Sequence, residues 1–257
     1  MNTINFLINK YTSKMADNDQ KFLKRVYDYK NDNNFLKKYE ERLKQIDFIN
    51  KNSILDFGAG FGQWSLALSK FNKNVIAYEP DDVRYGFTKK MTEILGKNNV
   101  NVFNSHDFLK HQKDDTFDAI FCYGVIFLTD WKKTINEFFR ILKKNGALYF
   151  NANDIGWYIF VWETLHNKAS DFNPQEMVCK TFNDTLKYNN HNIYRNGMKM
   201  IMQKDVVLKY LQNKNFNSIQ FDQEGMIKSN KYQLSTNPFS IGRYKDLTAV
   251  YEILAIK

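Results

Sequence analysis

One stretch constrains the fold more than any other: ILDFGAGFGQWSLALSK, Ile54 to Lys70. A short apolar run stopped by glycine is a buried strand. Apolar residues at 61, 64, 66, 68 and 71 then fit a short helix. Between them Gly58, Gly60 and Gly62 alternate with Ala59 and Phe61. Glycine permits backbone angles that other residues avoid and lets a ligand lie against the main chain. The N–H groups at the helix start would face such a ligand. Taken alone, the same loop is also compatible with an ordinary tight strand-to-helix turn.

The following hundred residues repeat the alternation. NVIAYEP is a second strand stopped by Pro80. DDVRYGFTKKMTEILG is a helix that opens on aspartate and closes at Gly96. NVNVFN and TFDAIFCYG are the third and fourth strands. DWKKTINEFFRILKKNG is a helix with Asp130 as N-cap and Gly146 just past its end, and ALYFNAN is a fifth strand. Strands alternating with helices predict a parallel sheet covered on both faces, with ligands beyond the carboxyl ends of its strands. The first fifty or so residues read as helical, broken at Asn31–Asn34. From about 155 to 200 the regularity fails; this stretch is too long for a bare connection and must carry structure of its own. QKDVVLKYLQNKNF, SIQFDQ and LTAVYEILAIK then supply a helix and two strands.

The loop spacing is G-x-G-x-G, whereas a dinucleotide fingerprint is G-x-G-x-x-G. No Gly-Lys-Ser/Thr follows, so a P-loop is excluded. Asp56 at the strand end would repel a pyrophosphate and attract a cation. Glu79 ends the second strand, where an acid can accept hydrogen bonds from ribose hydroxyls. Asp107, in NSHDF, follows the third. Each acid singly could be a solvated loop acid or a helix cap; three on neighbouring strand tips, with the loop, make a site.

This order of features resembles the class I S-adenosylmethionine-dependent methyltransferases. ILDFGAGFG matches their first motif, VIAYEP their second, and NSHDF their third. FDAIFCYGVIFLTDWKKTINEFFRILKKNGALYF resembles their fourth strand, helix and fifth strand. The likeness is strong from Ser53 to Asn153 and looser from Gln203 to Lys257. It implies an α/β three-layer sandwich on a seven-stranded, mostly parallel sheet of order 3-2-1-4-5-7-6. The last strand is antiparallel, YEILAIK being the inserted one. It implies S-adenosyl-L-methionine as cofactor and S-adenosyl-L-homocysteine as product, with Glu79 on the ribose and Asp107 near the adenine. Asn145 stands where the family often has proline, and Phe127 where many small-molecule members have histidine.

The cofactor-binding set is then Asp56, Gly58, Ala59, Gly60, Gly62, Glu79, Pro80, Asp107, Phe108, Cys122 and Tyr123; Phe108, Cys122 and Tyr123 read equally well as core packing. A hydroxyl acceptor needs a base or strong orientation. Candidates are Asp154, at the mouth of the cleft, which reads as a base, a substrate-orienting acid or a turn acid, and His166 and His191 in the irregular region, although a lone histidine is more often structural or exposed. Trp157, Tyr158, Trp162 and Tyr194 could shape a substrate pocket or form the region's own core. The chain is expected to be one domain, 1–257, made of a helical segment (1–50), a cofactor-binding half (51–154), a lid or substrate insertion (155–200) and a C-terminal helix and strands (201–257).

The net charge of +9 points to an anionic partner such as nucleic acid, or simply to lysine-rich composition. Arginine, the better bidentate phosphate ligand, occurs only at 25, 42, 84, 140, 195 and 243, which favours the compositional reading. Two cysteines far apart, no metal-ligand spacing and no membrane-length apolar run lead to an expected cytoplasmic protein without metal or membrane span. The expected activity is methyl transfer to a small molecule. Its acceptor would be a sugar, a phosphate-like oxygen or another metabolite of surface-glycan or secondary metabolism. Transfer to tRNA is the alternative, and a non-catalytic binding protein fits the complete loop least.

Overall fold

A computed structural model describes residues 2–13, 15–27, 35–229, 231 and 237–257. The helix break expected at Asn31–Asn34 lies outside them. The elements in chain order are α1 (Asn2–Thr12), α2 (Asp17–Val26), α3 (Lys37–Gln45), β1 (Ser53–Phe57), α4 (Gln63–Ser69), β2 (Asn74–Tyr78), α5 (Asp82–Ile94), β3 (Val100–Phe103), β4 (Phe117–Cys122), α6 (Trp131–Ile141), β5 (Leu142–Asn153), α7 (Ile155–Thr164), α8 (Pro174–His191), α9 (Lys204–Asn213), β6 (Ser218–Gln223) and β7 (Val250–Ile256). A two-residue ribbon, Arg243–Tyr244 with Leu247–Thr248, precedes β7. The seven strands form one sheet in the order β3-β2-β1-β4-β5-β7-β6. β7 runs antiparallel to both β5 and β6, as the resemblance implied.

Two compact units share the chain: Met1–Phe121 with Lys228–Thr236, and Cys122–Ile227 with Asn237–Lys257. In the first, β1 pairs in parallel with β2 and β4, and β2 with β3. Ile54, Leu55, Asp56 and Phe57 are all buried, the pattern of a strand covered on both faces. Every residue of α4 is buried too. Tyr39 of α3 meets Trp64 edge-on, with ring centroids 4.8 Å apart. Asp81 caps α5 by accepting the Arg84 N–H at 2.9 Å, and Gly96 beyond its end has φ +62°, both as the sequence signals predict. Ile4, Leu7, Ile8, Leu23 and Val26 pack with Phe87 and Met91 of α5 and with Phe61 of the glycine loop. The Tyr27 hydroxyl donates to the Phe61 carbonyl, and Asp19 pairs with Arg84 at 2.8 Å. The N-terminal helices therefore brace the loop from the α5 side.

In the second unit α6 stops sooner than expected. The helix ends at Ile141, and Leu142 is already extended. The cause is long-range pairing: Asn145 N–H donates to the Lys257 carbonyl at 2.8 Å, and Lys257 N–H to that of Gly146 at 3.0 Å. This edge pairing draws the residues after Ile141 into β5. Asn145, at φ +63°, takes the left-handed turn that had been expected of Gly146. Residues 155–200 carry α7 and α8, whose shared core is Tyr158, Val161 and Val178 with Ile201. Asn173 caps α8 and Pro174 opens it.

Candidate active site

The first unit holds the glycine loop and its acids. Gly58, Gly60 and Gly62 have φ of +80°, +59° and +82°, so all three use the left-handed region. Gly58 N–H and Ala59 N–H both donate to the Tyr78 carbonyl, at 2.8 and 2.9 Å, which ties the loop to the end of β2. A Cβ on Gly60 would meet no atom within 4 Å, so the backbone faces open space there. A Cβ on Gly62 would lie 2.7 Å from Thr88 Cγ2. Thr88 cannot readily move, because its hydroxyl donates to the Gly60 carbonyl at 2.9 Å. Gly62→Ala thus combines backbone strain with overpacking. We expect it to cost about 1–3 kcal/mol in urea unfolding; a stability equal to wild type would contradict this packing.

Asp56 is 1% exposed and accepts the Ser65 hydroxyl at 2.5 Å. Burial pushes its carboxyl up to about 7; the Ser65 bond opposes that rise and nearby Glu79 adds to it. Glu79 is 4% exposed. Its Oε2 accepts Gly60 N–H at 2.8 Å and its Oε1 accepts Asp81 N–H at 3.0 Å. Burial raises its pKa, and those two N–H bonds counter the rise. Glu79 is therefore a clamp on the glycine loop as well as a strand-tip acid. Tyr78 stacks on Phe108 with centroids 4.9 Å apart and planes at 17°. Pro80, which follows Glu79, is exposed. Asp107 is exposed and paired with Lys110 at 2.7 Å, which lowers its pKa. Its carboxylate is engaged by a neighbour in its own turn.

The remaining predicted residues lie in the second unit. Cys122 is fully buried at the end of β4. The Tyr123 hydroxyl donates to Glu224 at 2.7 Å. Asp154 caps two helices at once: Oδ1 accepts Ile155 N–H at 2.7 Å and Oδ2 accepts Lys204 N–H at 3.0 Å. With both oxygens holding helix starts and 7% exposure, it has the geometry of a turn acid. These bonds fit the turn-acid reading of the residue, beside the base and orienting-acid readings. His191 is exposed on the last residue of α8. Tyr194 donates its hydroxyl to the Leu128 carbonyl at 2.8 Å.

Trp157, Tyr158 and His166 come together. With Phe127 and Asn153 they line a cavity of about 200 Å³. Asn153 is the last residue of β5, so the cavity lies beyond that strand's carboxyl end. The His166 ring packs against Trp157 and Phe160 at 5.4 and 5.0 Å. Trp162 lies in a separate apolar groove with Cys179 and Phe182. Two contributors escaped the sequence reading. Ser65 has no local mark, being one polar residue in a buried helix. Lys199 lines the His166 cavity, and its signal was a lone lysine inside the apolar run Met198–Met202.

The cradle of the first unit fits a cationic nucleoside. The open space over Gly60 admits a ligand against the backbone. Each oxygen of Glu79 keeps a lone pair for a hydroxyl beyond the one N–H it accepts. Asp56 becomes a better carboxylate beside positive charge.

Known proteins share the fold that carries this site. A methyltransferase-domain family model matches residues 55–150. The chain is similar to a tRNA (guanine-N(7)-)-methyltransferase of Mycoplasma mycoides, with 27% identity over 188 residues that cover 60% of this chain and 84% of that one. Its fold is similar to that of an S-adenosylmethionine-dependent methyltransferase from Archaeoglobus fulgidus (TM-score 0.55, 12% identity, 85% of this chain and 92% of that one). It is similar also to one from Thermotoga maritima (TM-score 0.51, 16% identity, 91% of this chain and 97% of that one). Among the described residues no helix is long and apolar enough to cross a membrane. Residues 55–150 thus match a methyltransferase domain, and the chain has the class I, Rossmann-like methyltransferase fold, which implies S-adenosylmethionine as the cofactor.

Proposed function

We propose that the protein transfers the methyl group to an oxygen of a small molecule, of the sugar, phosphate-bearing or secondary-metabolite kind, as one cytoplasmic methyltransferase domain. The observation that carries this reading is the small cavity beyond β5, lined by Trp157, Phe127 and His166. Its volume of about 200 Å³ suits a single ring with one or two substituents. A bound cofactor would supply a sulfonium methyl group to the acceptor oxygen, the sulfur keeping the S–C electron pair. The chain's own task is to hold and orient the acceptor and to exclude water. A hydroxyl must also lose its proton. Of the three candidate bases, His166 is the one that lines this cavity, so the proposal gives it that proton. In the first unit Glu79 would accept the ribose hydroxyls, Asp56 would favour the cationic end, and Phe108 with Tyr78 would flank the base.

A second reading, methyl transfer to tRNA, draws on the Mycoplasma mycoides relative and the net charge of +9. One experiment separates them. Methyl-labelled cofactor is incubated with the protein and a cell extract, which is then split into nucleic acid, protein and small molecules. The proposal expects label in the small-molecule fraction, reduced at least tenfold by His166→Ala. Label confined to tRNA would overturn it.

A further inference from the structure

The His166 cavity has a charge the activity does not explain. Met198, Met200, Ile201 and Met202, which flank Lys199 in the chain, are buried. Backbone bonds pin the run, from Met200 N–H to the Phe127 carbonyl and from Met202 N–H to that of Asn153, both at 2.9 Å. Ile201 packs on Tyr158, Val161 and Val178, and Lys199 lines the cavity that Tyr158 and Val161 also line. Lys199 is half-buried and has no hydrogen-bond or ion-pair partner among the described residues. Burial lowers its pKa, and Lys180 lowers it further. Lys180 carries the same charge as Lys199, and the Asp184 carboxylate is engaged with Lys180 at 2.8 Å. Among the described residues no acid lines the cavity: its members with polar groups are Lys199, His166, Asn153, Asn167, Trp157 and Tyr158. The Tyr158 hydroxyl donates to the Met200 carbonyl at 3.2 Å and is hydrogen-bonded to Asn153, so it is already engaged.

A partly desolvated ammonium is costly unless an anion joins it. We infer that Lys199 is a specificity residue: it receives a carboxylate or phosphate carried by a compact, ring-bearing acceptor whose apolar body lies against Trp157 and Phe127. This rests on the reading of the cavity as the acceptor pocket. It adds the acceptor's charge class, which a bare methyltransferase fold leaves open.

Calorimetry tests it with three ring compounds of similar size: benzoate, phenyl phosphate and the neutral benzyl alcohol. On the wild-type protein each anion that fits should bind at least tenfold more tightly than benzyl alcohol, and the tighter of the two names the acid group. Lys199→Met, which keeps the apolar stem, should remove that preference, and Lys199→Arg should restore most of it. Equal affinity of wild type for anions and alcohol, or an anion preference that survives in Lys199→Met, would overturn the inference. The first comparison needs no variant, so a poorly folding substitution does not blunt it. These are binding readouts, separate from the labelling experiment. If label enters neutral metabolites the acceptor reading stands and the charge assignment fails; if it enters tRNA alone the acceptor reading itself fails.

Discussion

Glu79→Ala weakens S-adenosylmethionine binding about ten- to hundredfold, the largest loss expected from a single side chain in the cradle. A charge-assisted hydrogen bond lost costs about 1.5–3 kcal/mol, and a factor of ten is about 1.4 kcal/mol. Glu79 carries two such duties. It offers lone pairs to the ribose, and it holds the loop through Gly60 N–H at 2.8 Å. Truncation leaves that N–H unsatisfied in a part-buried place and loosens the loop whose φ values the ligand needs. Glu79→Gln keeps the size and one acceptor oxygen, so its loss should be within about tenfold. The ribose is common to the cofactor and its demethylated product, so calorimetry should show both weakened by the same factor. An unchanged dissociation constant in Glu79→Ala would contradict the assignment.

Asp56→Asn has opposite effects on stability and on binding. An unfolded aspartate titrates near 3.9, roughly, while folded Asp56 titrates at about 7 because it is buried. Between those values the folded chain keeps a proton that the unfolded chain has released. Its contribution to stability therefore falls as pH rises from about 4 to about 7, then levels off. Asparagine cannot ionise and can still accept the Ser65 hydroxyl. The variant should lack that part of the pH dependence, match wild type near pH 4, and exceed it above pH 7 by about 1 kcal/mol or more. Urea unfolding across this range checks it. Binding runs the other way. A cation favours the ionised carboxyl, so wild-type affinity for S-adenosylmethionine should rise by up to about tenfold per pH unit up to pH 7. In Asp56→Asn it should be weaker and flat. A site tuned for a cationic ligand is thereby bought with stability in the free protein.

Much of this was legible because it is local. The strand-loop-helix at Ser53–Ser69, the Asp81 cap and the Gly96 stop follow from residues a few positions apart. Asp56 and Glu79 were readable as acids at strand ends. The order of the sheet came through resemblance, since periodicity cannot rank parallel strands. The end of α6 was hidden because its cause, pairing of Asn145 and Gly146 with Lys257, is more than a hundred residues away in the chain. Residues 155–200 hid two helices behind aromatics and asparagines, although Asn173-Pro174 is a start signal for α8. Asp154 read as a base or a turn acid; only the two N–H groups it receives favour the second. Lys199 gains meaning only from the cavity it lines, which gathers residues from Phe127 to Lys199 that sequence distance keeps apart.

On the reading proposed above, the cradle of Asp56, the three glycines and Glu79 holds a cationic nucleoside. The most direct measurement is thermal denaturation with S-adenosylmethionine, its demethylated product, or NAD, each near a hundred times the cofactor's dissociation constant. Saturation at that level adds about 2.7 kcal/mol, a shift of several degrees. The first two ligands should raise the midpoint by that amount and NAD should leave it in place; a shift with NAD alone would contradict the account.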